Sequence, residues 1–182
     1  MNDLHALRSR IKTQRQALSI EDQHQAALDF CHNLLASKAL DSAEHIAVYL
    51  AHQGELNLQP TIDALWQQGK ALYLPTLNQH HLLFKLYTPE SYLHPNRFGI
   101  IEVSSREFIT PEKLDAALVP LVAFDQEGHR IGMGKGYYDR SFSMKKKPLL
   151  IGCGYAFQEI PTFTPQSHDI KMDHVITPFT LL

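Results

Sequence analysis

The chain reads as an α/β protein, a three-layer α/β/α single domain over residues 1–182 with a largely parallel central sheet. Three observations carry that reading. Short runs rich in apolar and β-branched residues alternate with longer stretches of helical periodicity. The most apolar run, Ala116 to Phe124, has only Pro120 inside it and suits a strand covered on both faces. The length, 182 residues, is about 1.2 times an average domain, and no repeat, low-complexity tract or linker divides it.

The elements follow in order. Leu4 to Leu18 is a helix, with Leu4, Leu7, Ile11 and Leu18 on one stripe and Arg8, Lys12 and Arg15 on another. Ser19, with Asp22 three residues on, caps a second helix that runs to about Ser37. Ala27, Phe30, Cys31, Leu34 and Leu35 form its inner face. His45 to Leu50 is a buried strand, broken by Gln53 and Gly54. Leu58 to Gln68 is a third helix with Ile62, Leu65 and Trp66 inward and Gly69 just past its end. Ala71 to Leu74 is a strand stopped by Pro75, and Leu82 to Tyr87 alternates with period two. Thr88 to Pro111, with Pro89, Pro95 and Gly99, reads mostly as loop. Asp115 to Val122 is the central strand, followed by a glycine-rich loop and a helix from about Tyr137. Leu149 to Cys153 and His174 to Thr177 complete the sheet. Lys145, Lys146 and Lys147 read as a solvated helix end, where cations suit the negative pole.

Composition excludes several classes of function. Lys plus Arg is 17 against 19 for Asp plus Glu, a net charge of −2, so this is no bulk nucleic-acid binder. No apolar stretch approaches the roughly 20 residues of a membrane span. Arg8, Arg10, Lys12 and Arg15 have no apolar h-region behind them, so no signal peptide is expected. Cys31 and Cys153 make neither a disulfide framework nor a zinc motif, and the expected compartment is the cytoplasm. The 11 histidines are scattered, and the pair His80 and His81 is adjacent rather than one helical turn apart.

Chemistry concentrates between Val122 and Arg140. Gly132, Gly134 and Gly136 alternate after a buried strand and before a helix, where backbone N–H groups can turn inward around an anion. The helix start adds partial positive charge, and Arg130 and Lys135 add full charges. Together these parts form a phosphate cradle, although the glycines alone also suit a tight strand-to-helix turn. The loop is not a Walker A motif: His129 stands where its first glycine would be, and Gly136 replaces the magnesium-binding Ser or Thr. Nor is it a dinucleotide fingerprint, because Tyr137 stands where the third glycine would be. Asp139, just after the loop, would repel a phosphate unless a cation lies between them. Magnesium is the usual one, with Asp169 or Asp173 as second carboxylate. Each aspartate can equally be a surface charge or a helix-dipole partner.

The Gly-x-Gly-Lys-Gly-Tyr-Tyr-Asp-Arg core of this loop resembles the signature of the 5-formyltetrahydrofolate cyclo-ligase family. Weaker pieces occur in the matching order along nearly the whole chain. They are Leu7-Arg8 with Leu18-Ser19, Gly54-Glu55-Leu56, Gly69-Lys70 with Leu74-Pro75, Asn96 to Ile100 with Glu102, and His168-Asp169 with Val175-Ile176-Thr177. Two positions depart: Leu4 stands where the family usually has lysine, and Val103 replaces a common proline.

The resemblance implies ATP- and magnesium-dependent ring closure of 5-formyltetrahydrofolate. Lys135, Arg130 and Tyr137 would be catalytic. Arg8, Lys12, Gly132, Met133, Gly134, Gly136 and Tyr138 would join those three around ATP. Leu50, Glu55, Phe98 and Tyr137 would hold the folate, with the Glu55 carboxylate accepting pterin N–H donors. Asp139 and Asp169 would hold Mg²⁺, with Asp173 in reserve. The partners are then small molecules only, with neither nucleic acid nor membrane, and the chain is taken as a monomer. Read without the resemblance, Arg8 and Lys12 suit a solvated face, Glu55 a loop charge, and Leu50, Phe98 and Tyr138 the core. Two other functions suit parts of the sequence. A sugar-phosphate isomerase or CoA-transferase-like enzyme would bind phosphate but leave the aspartate pair idle. A nucleotide-binding regulatory or RNA-associated module would use the basic first helix, against the near-neutral charge.

Overall fold

The structure, a computed structural model, describes residues 2–96 and 98–178; Arg97, part of the mid-chain motif, lies outside the described residues. Helices α1 (Asn2–Gln16) and α2 (Ile20–Ala36) are separated by the cap expected at Ser19. Its hydroxyl accepts the Asp22 amide at 3.0 Å and donates to the Asp22 carboxylate at 2.7 Å. Strand β1 (His45–Ala47) leads into α3 (Gln59–Gln67), and Gly69 follows the α3 C-cap at φ +75°. Strands β2 (Ala71–Asn78) and β3 (His81–Tyr87) form an antiparallel hairpin. Then come the small hairpin β4 (Leu93–Pro95) and β5 (Ile101–Val103), and the buried strand β6 (Ala116–Pro120). A second small hairpin, β7 (Ala123–Phe124) and β8 (Arg130–Ile131), precedes α4 (Tyr137–Ser141). Strands β9 (Leu149–Cys153) and β10 (His174–Ile176) end the sheet. No helix among the described residues is long and apolar enough to cross a membrane.

The central sheet is six-stranded in the order β10-β9-β6-β1-β2-β3, and every pairing is parallel except β2 with β3. On one face Phe30, Leu34, Ile62 and Leu65 of α2 and α3 bury Ile46, Leu72, Leu118 and Ile151. On the other, Phe124, Phe142, Ile170 and Met172 cover Ala47, Tyr73, Val119 and Leu150. That second outer layer is thin: the five-residue α4, the β7–β8 hairpin and irregular chain. A separate small cluster joins Leu7 and Ile11 of α1 to Val122, Ile131 and Phe163.

Four local expectations change. Strand β2 runs through Pro75 instead of stopping there. Its register with β1 ends at Tyr73, so Pro75 lies where that side of β2 is an edge and no amide is required of it. Residues 88–111, expected mostly as loop, contain the β4–β5 hairpin, whose three-residue strands are too short to show alternation. Helix α4 ends at Ser141, so Lys145–Lys147 lie beyond it, and Lys147 bonds the Lys171 carbonyl and Asp173, each at 3.3 Å. Finally, the side of α1 turned to the rest of the protein carries Leu7, Arg8, Ile11 and Arg15, so two arginines share it with the apolar residues. Arg15 is therefore buried rather than on a solvated face.

Candidate active site

A cleft of about 860 Å³ opens beyond the carboxyl ends of β1, β2 and β6. The chain reverses its direction of strand addition between β1 and β6, which is where open α/β sheets place ligands. The volume is that of a small-molecule site.

One wall grows out of β1. The chain leaves the strand through Tyr49 and Leu50 and turns at Gln53 and Gly54. Gly54 presses on α1: a Cβ there would stand 3.1 Å from the Arg15 carbonyl carbon. The turn presents Glu55, whose carboxylate accepts the His52 amide at 3.0 Å. Burial raises the Glu55 pKa above its ordinary value, while the His52 amide and the Arg15 charge oppose that rise. Tyr49 and Tyr138 line the same cleft, and burial pushes both phenols up, so both stay neutral donors. Phe98 reaches the cleft from the β4–β5 turn, where the Asn96 side chain accepts the Phe98 and Ile100 amides at 2.9 and 3.1 Å. Asn96 in turn donates to buried Glu102 at 2.7 Å.

The glycine loop forms the opposite wall. The β7–β8 hairpin delivers it, and two arginines fix its course. Arg8 donates to the Gly132 carbonyl at 2.9 Å, and Arg140 donates to the Lys135 and His80 carbonyls at 2.8 and 2.7 Å. The Arg140 guanidinium lies 5.2 Å over the Tyr137 ring. Gly134 has φ +86°, and a Cβ there would stand 3.3 Å from the Arg8 guanidinium. The loop therefore needs glycine for both backbone and space. Lys135 is exposed at its rim. Gly136 caps α4, but a helix of five residues contributes little dipole, so charge here rests on side chains and loop amides.

Arg130 is buried and donates to Asp139 at 2.8 Å, with its guanidinium 5.7 Å over the Tyr138 ring. Asp139 also accepts the Ile170 amide at 3.3 Å. Asp169 lines the same cleft and accepts the Gln166 amide at 2.8 Å. Asp173 does not line it; it accepts the Leu150 amide at 2.8 Å and pairs with Lys147. Two carboxylates beside a loop of amides and cations are a hard-oxygen donor set, and they fit Mg²⁺ that also binds phosphate oxygens. Among the described residues no group of three metal-ligating side chains exists, so any ion would need ligand or water oxygens as well.

The structure thus gathers Arg8, Arg130, Lys135, Tyr137, Tyr138, Asp139 and Asp169 with Leu50, Glu55 and Phe98 around one cleft. Gly132, Met133, Gly134 and Gly136 belong to its lining as well. Lys12, expected one turn beyond Arg8, is not part of that lining. Arg15, Asn96 and Glu102 line it without having been assigned a role from sequence. The first-helix spacing carried the signal for Arg15; nothing in the sequence marked Asn96 and Glu102 beyond the resemblance.

The model of the 5-formyltetrahydrofolate cyclo-ligase family matches residues 1–178. The chain belongs to this family. It is an enzyme with the family's α/β fold. A 5-formyltetrahydrofolate cyclo-ligase of Escherichia coli is 35% identical over 175 residues, 92% of this chain and 96% of that one. One of Haemophilus influenzae is 32% identical over 177 residues, 93% of this chain and 95% of that one. Among solved structures, a 5,10-methenyltetrahydrofolate synthetase of Aquifex aeolicus superposes with TM-score 0.86 at 31% identity, covering 98% of this chain and 91% of that one. These names state a folate substrate and a folate product, and the second outer layer, thin as it is here, is part of a fold shared along nearly the full length.

Proposed function

We propose that this enzyme converts 5-formyltetrahydrofolate into 5,10-methenyltetrahydrofolate with consumption of ATP and magnesium. The observation that carries the reading is the single cleft with two unlike walls. One is a glycine loop edged by Arg8, Arg130 and Lys135; the other is an apolar wall that presents the half-buried Glu55 carboxylate.

The chemistry divides accordingly. The formyl oxygen attacks the γ-phosphorus of ATP, ADP departs, and the N5 lone pair forms the iminium. N10 adds to the iminium carbon, the carbon–oxygen bond breaks, phosphate leaves, and N10 gives up its proton. Phosphoryl transfer is mainly positioning and charge stabilisation. Arg8 and Lys135, with the loop amides, hold the triphosphate, and Arg130 and Lys135 meet the charge that develops on the transferred group. Asp139 and Asp169 would hold Mg²⁺, which when bound neutralises phosphate oxygens. Glu55 accepts from pterin N–H donors, Leu50 and Phe98 cover its faces, and Tyr137 lies between the two substrates.

The test is a spectrophotometric assay of the purified protein with 5-formyltetrahydrofolate. The near-ultraviolet band of the methenyl product should rise only when ATP and magnesium are both present. A folded protein that binds ATP and gives no rise overturns the reading.

A further inference from the structure

Arg15 is the most deeply buried cation among the described residues, at 1% exposed, and it lines the cleft. Its hydrogen-bonding capacity is almost unused. Nη1 reaches the Leu121 carbonyl only at 3.5 Å, and Nε has no partner among the described residues. The Leu121 carbonyl is already held at 2.8 Å by Gln158. A guanidinium carries five N–H donors, and burying them unpaired is costly unless something arrives to accept them.

Its neighbour in the cleft is Glu55. The Gly54 backbone touches the Arg15 backbone, so the two side chains start from adjoining points of one wall. They form no ion pair, although the arginine charge is felt at the carboxylate. One Glu55 oxygen accepts the His52 amide, and the other has no partner among the described residues. A buried donor and a half-buried acceptor, side by side and unjoined, complement a ligand edge that presents an N–H next to a carbonyl.

The pterin ring of a folate has that edge: the 2-amino group and N3–H are donors, and the C4 carbonyl next to them is an acceptor. We infer that Arg15 is a substrate-binding residue that donates to the pterin C4 carbonyl while Glu55 accepts from the adjoining N–H groups. This rests on the folate reading of the site. A phosphate is the wrong occupant here, because Glu55 would repel it and the glycine loop already offers Arg8 and Lys135. The folate glutamate tail is a poor candidate too, since its carboxylates are well solvated and this arginine is enclosed.

The test compares wild type with Arg15→Met, which keeps a long apolar stem. The readouts are KM for 5-formyltetrahydrofolate, KM for ATP, and inhibition by a 4-amino-4-deoxy folate, in which a donor replaces the carbonyl. A charged hydrogen bond lost from a buried site predicts a rise of about 10- to 100-fold in folate KM. The ATP KM should stay within about twofold. Discrimination against the 4-amino compound should collapse, because the variant no longer favours a carbonyl. A folate KM within about threefold of wild type, or equal losses for ATP and folate, overturns the inference. Should Arg15→Met fail to fold, Arg15→Lys is measured against the same criteria, since a lysine keeps the charge but not the fork of donors. A wild type that turns over no 5-formyltetrahydrofolate overturns the functional reading itself, so the two failures are distinct.

Discussion

At the scale of single residues, two substitutions separate the walls of the cleft. Lys135 is exposed and its ammonium makes no hydrogen bond or ion pair among the described residues, so Lys135→Ala should leave the fold intact. Losing a full charge beside the transferred phosphoryl group should lower kcat by about 10²- to 10³-fold, read from initial rates beside an unchanged circular-dichroism spectrum. Glu55→Gln should instead raise folate KM with little change for ATP. Glu55 also sets a pH dependence, facing Arg15 from α1, Tyr49 from the end of β1 and Tyr138 from α4. Its pKa is raised above the ordinary 4.5, so folate affinity should weaken on acidification with a midpoint above that value. Stability runs the opposite way. The folded protein holds this proton longer than the unfolded chain, so the ionised carboxylate burdens the fold increasingly as pH rises from 4.5 through the raised value. The melting temperature of Glu55→Gln relative to wild type should accordingly be higher at pH 7 than at pH 4. Glu55 was legible as a site residue only through the resemblance, because a lone glutamate after a strand carries no signal of its own. Arg15 was harder: basic residues on a surface helix default to solvent, and nothing in the sequence shows that Gly54 packs against its backbone.

At the scale of elements, the glycine loop was the most legible part of the chain, since glycine spacing and flanking charges are local features. What holds it was not. Arg8 and Arg140 reach it from 124 and 5 residues away, respectively. Gly134→Ala places a side chain at φ +86° and against the Arg8 guanidinium. The left-handed backbone alone costs about 1–2 kcal/mol. Displacement of Arg8 should raise the ATP KM several-fold while the folate KM stays near wild type. The β7–β8 hairpin depends on Asp125, whose carboxylate accepts the Glu127 and His129 amides at 3.0 and 2.9 Å and meets the His129 ring at 3.0 Å. Burial alone would raise the Asp125 pKa, but the bonds from His129 and the Phe163 amide hold it below its ordinary value. Asp125→Ala leaves those amides unpaired and should cost about 2–3 kcal/mol at neutral pH by denaturant unfolding. The deficit should narrow as pH falls below 3.8, where wild type loses the same contribution. The β4–β5 hairpin escaped detection because strands of three residues, one ending in Pro95, give no periodicity to read.

At the scale of the whole molecule, sequence order predicted a parallel layered sheet and hence a ligand at its carboxyl edge, and the cleft lies there. Its membership could not be read the same way. The lining is drawn from residues 4–15, 49–55, 75–82, 96 and 98–102, 120–139 and 163–169, and local patterns do not report which distant segments meet. These segments are not equally well secured. Among the described residues, helix α1 attaches through the smallest of the apolar clusters, to which it contributes Leu7 and Ile11. Yet that helix brings two arginines to the cleft. An element with so few apolar contacts opens locally at a fraction of the global unfolding free energy. Backbone amides of α1 should therefore exchange with deuterated solvent well before those of β6 and β9 in the free protein. Saturating both substrates should slow that exchange selectively, because each bound ligand would now fasten the helix through its own arginine.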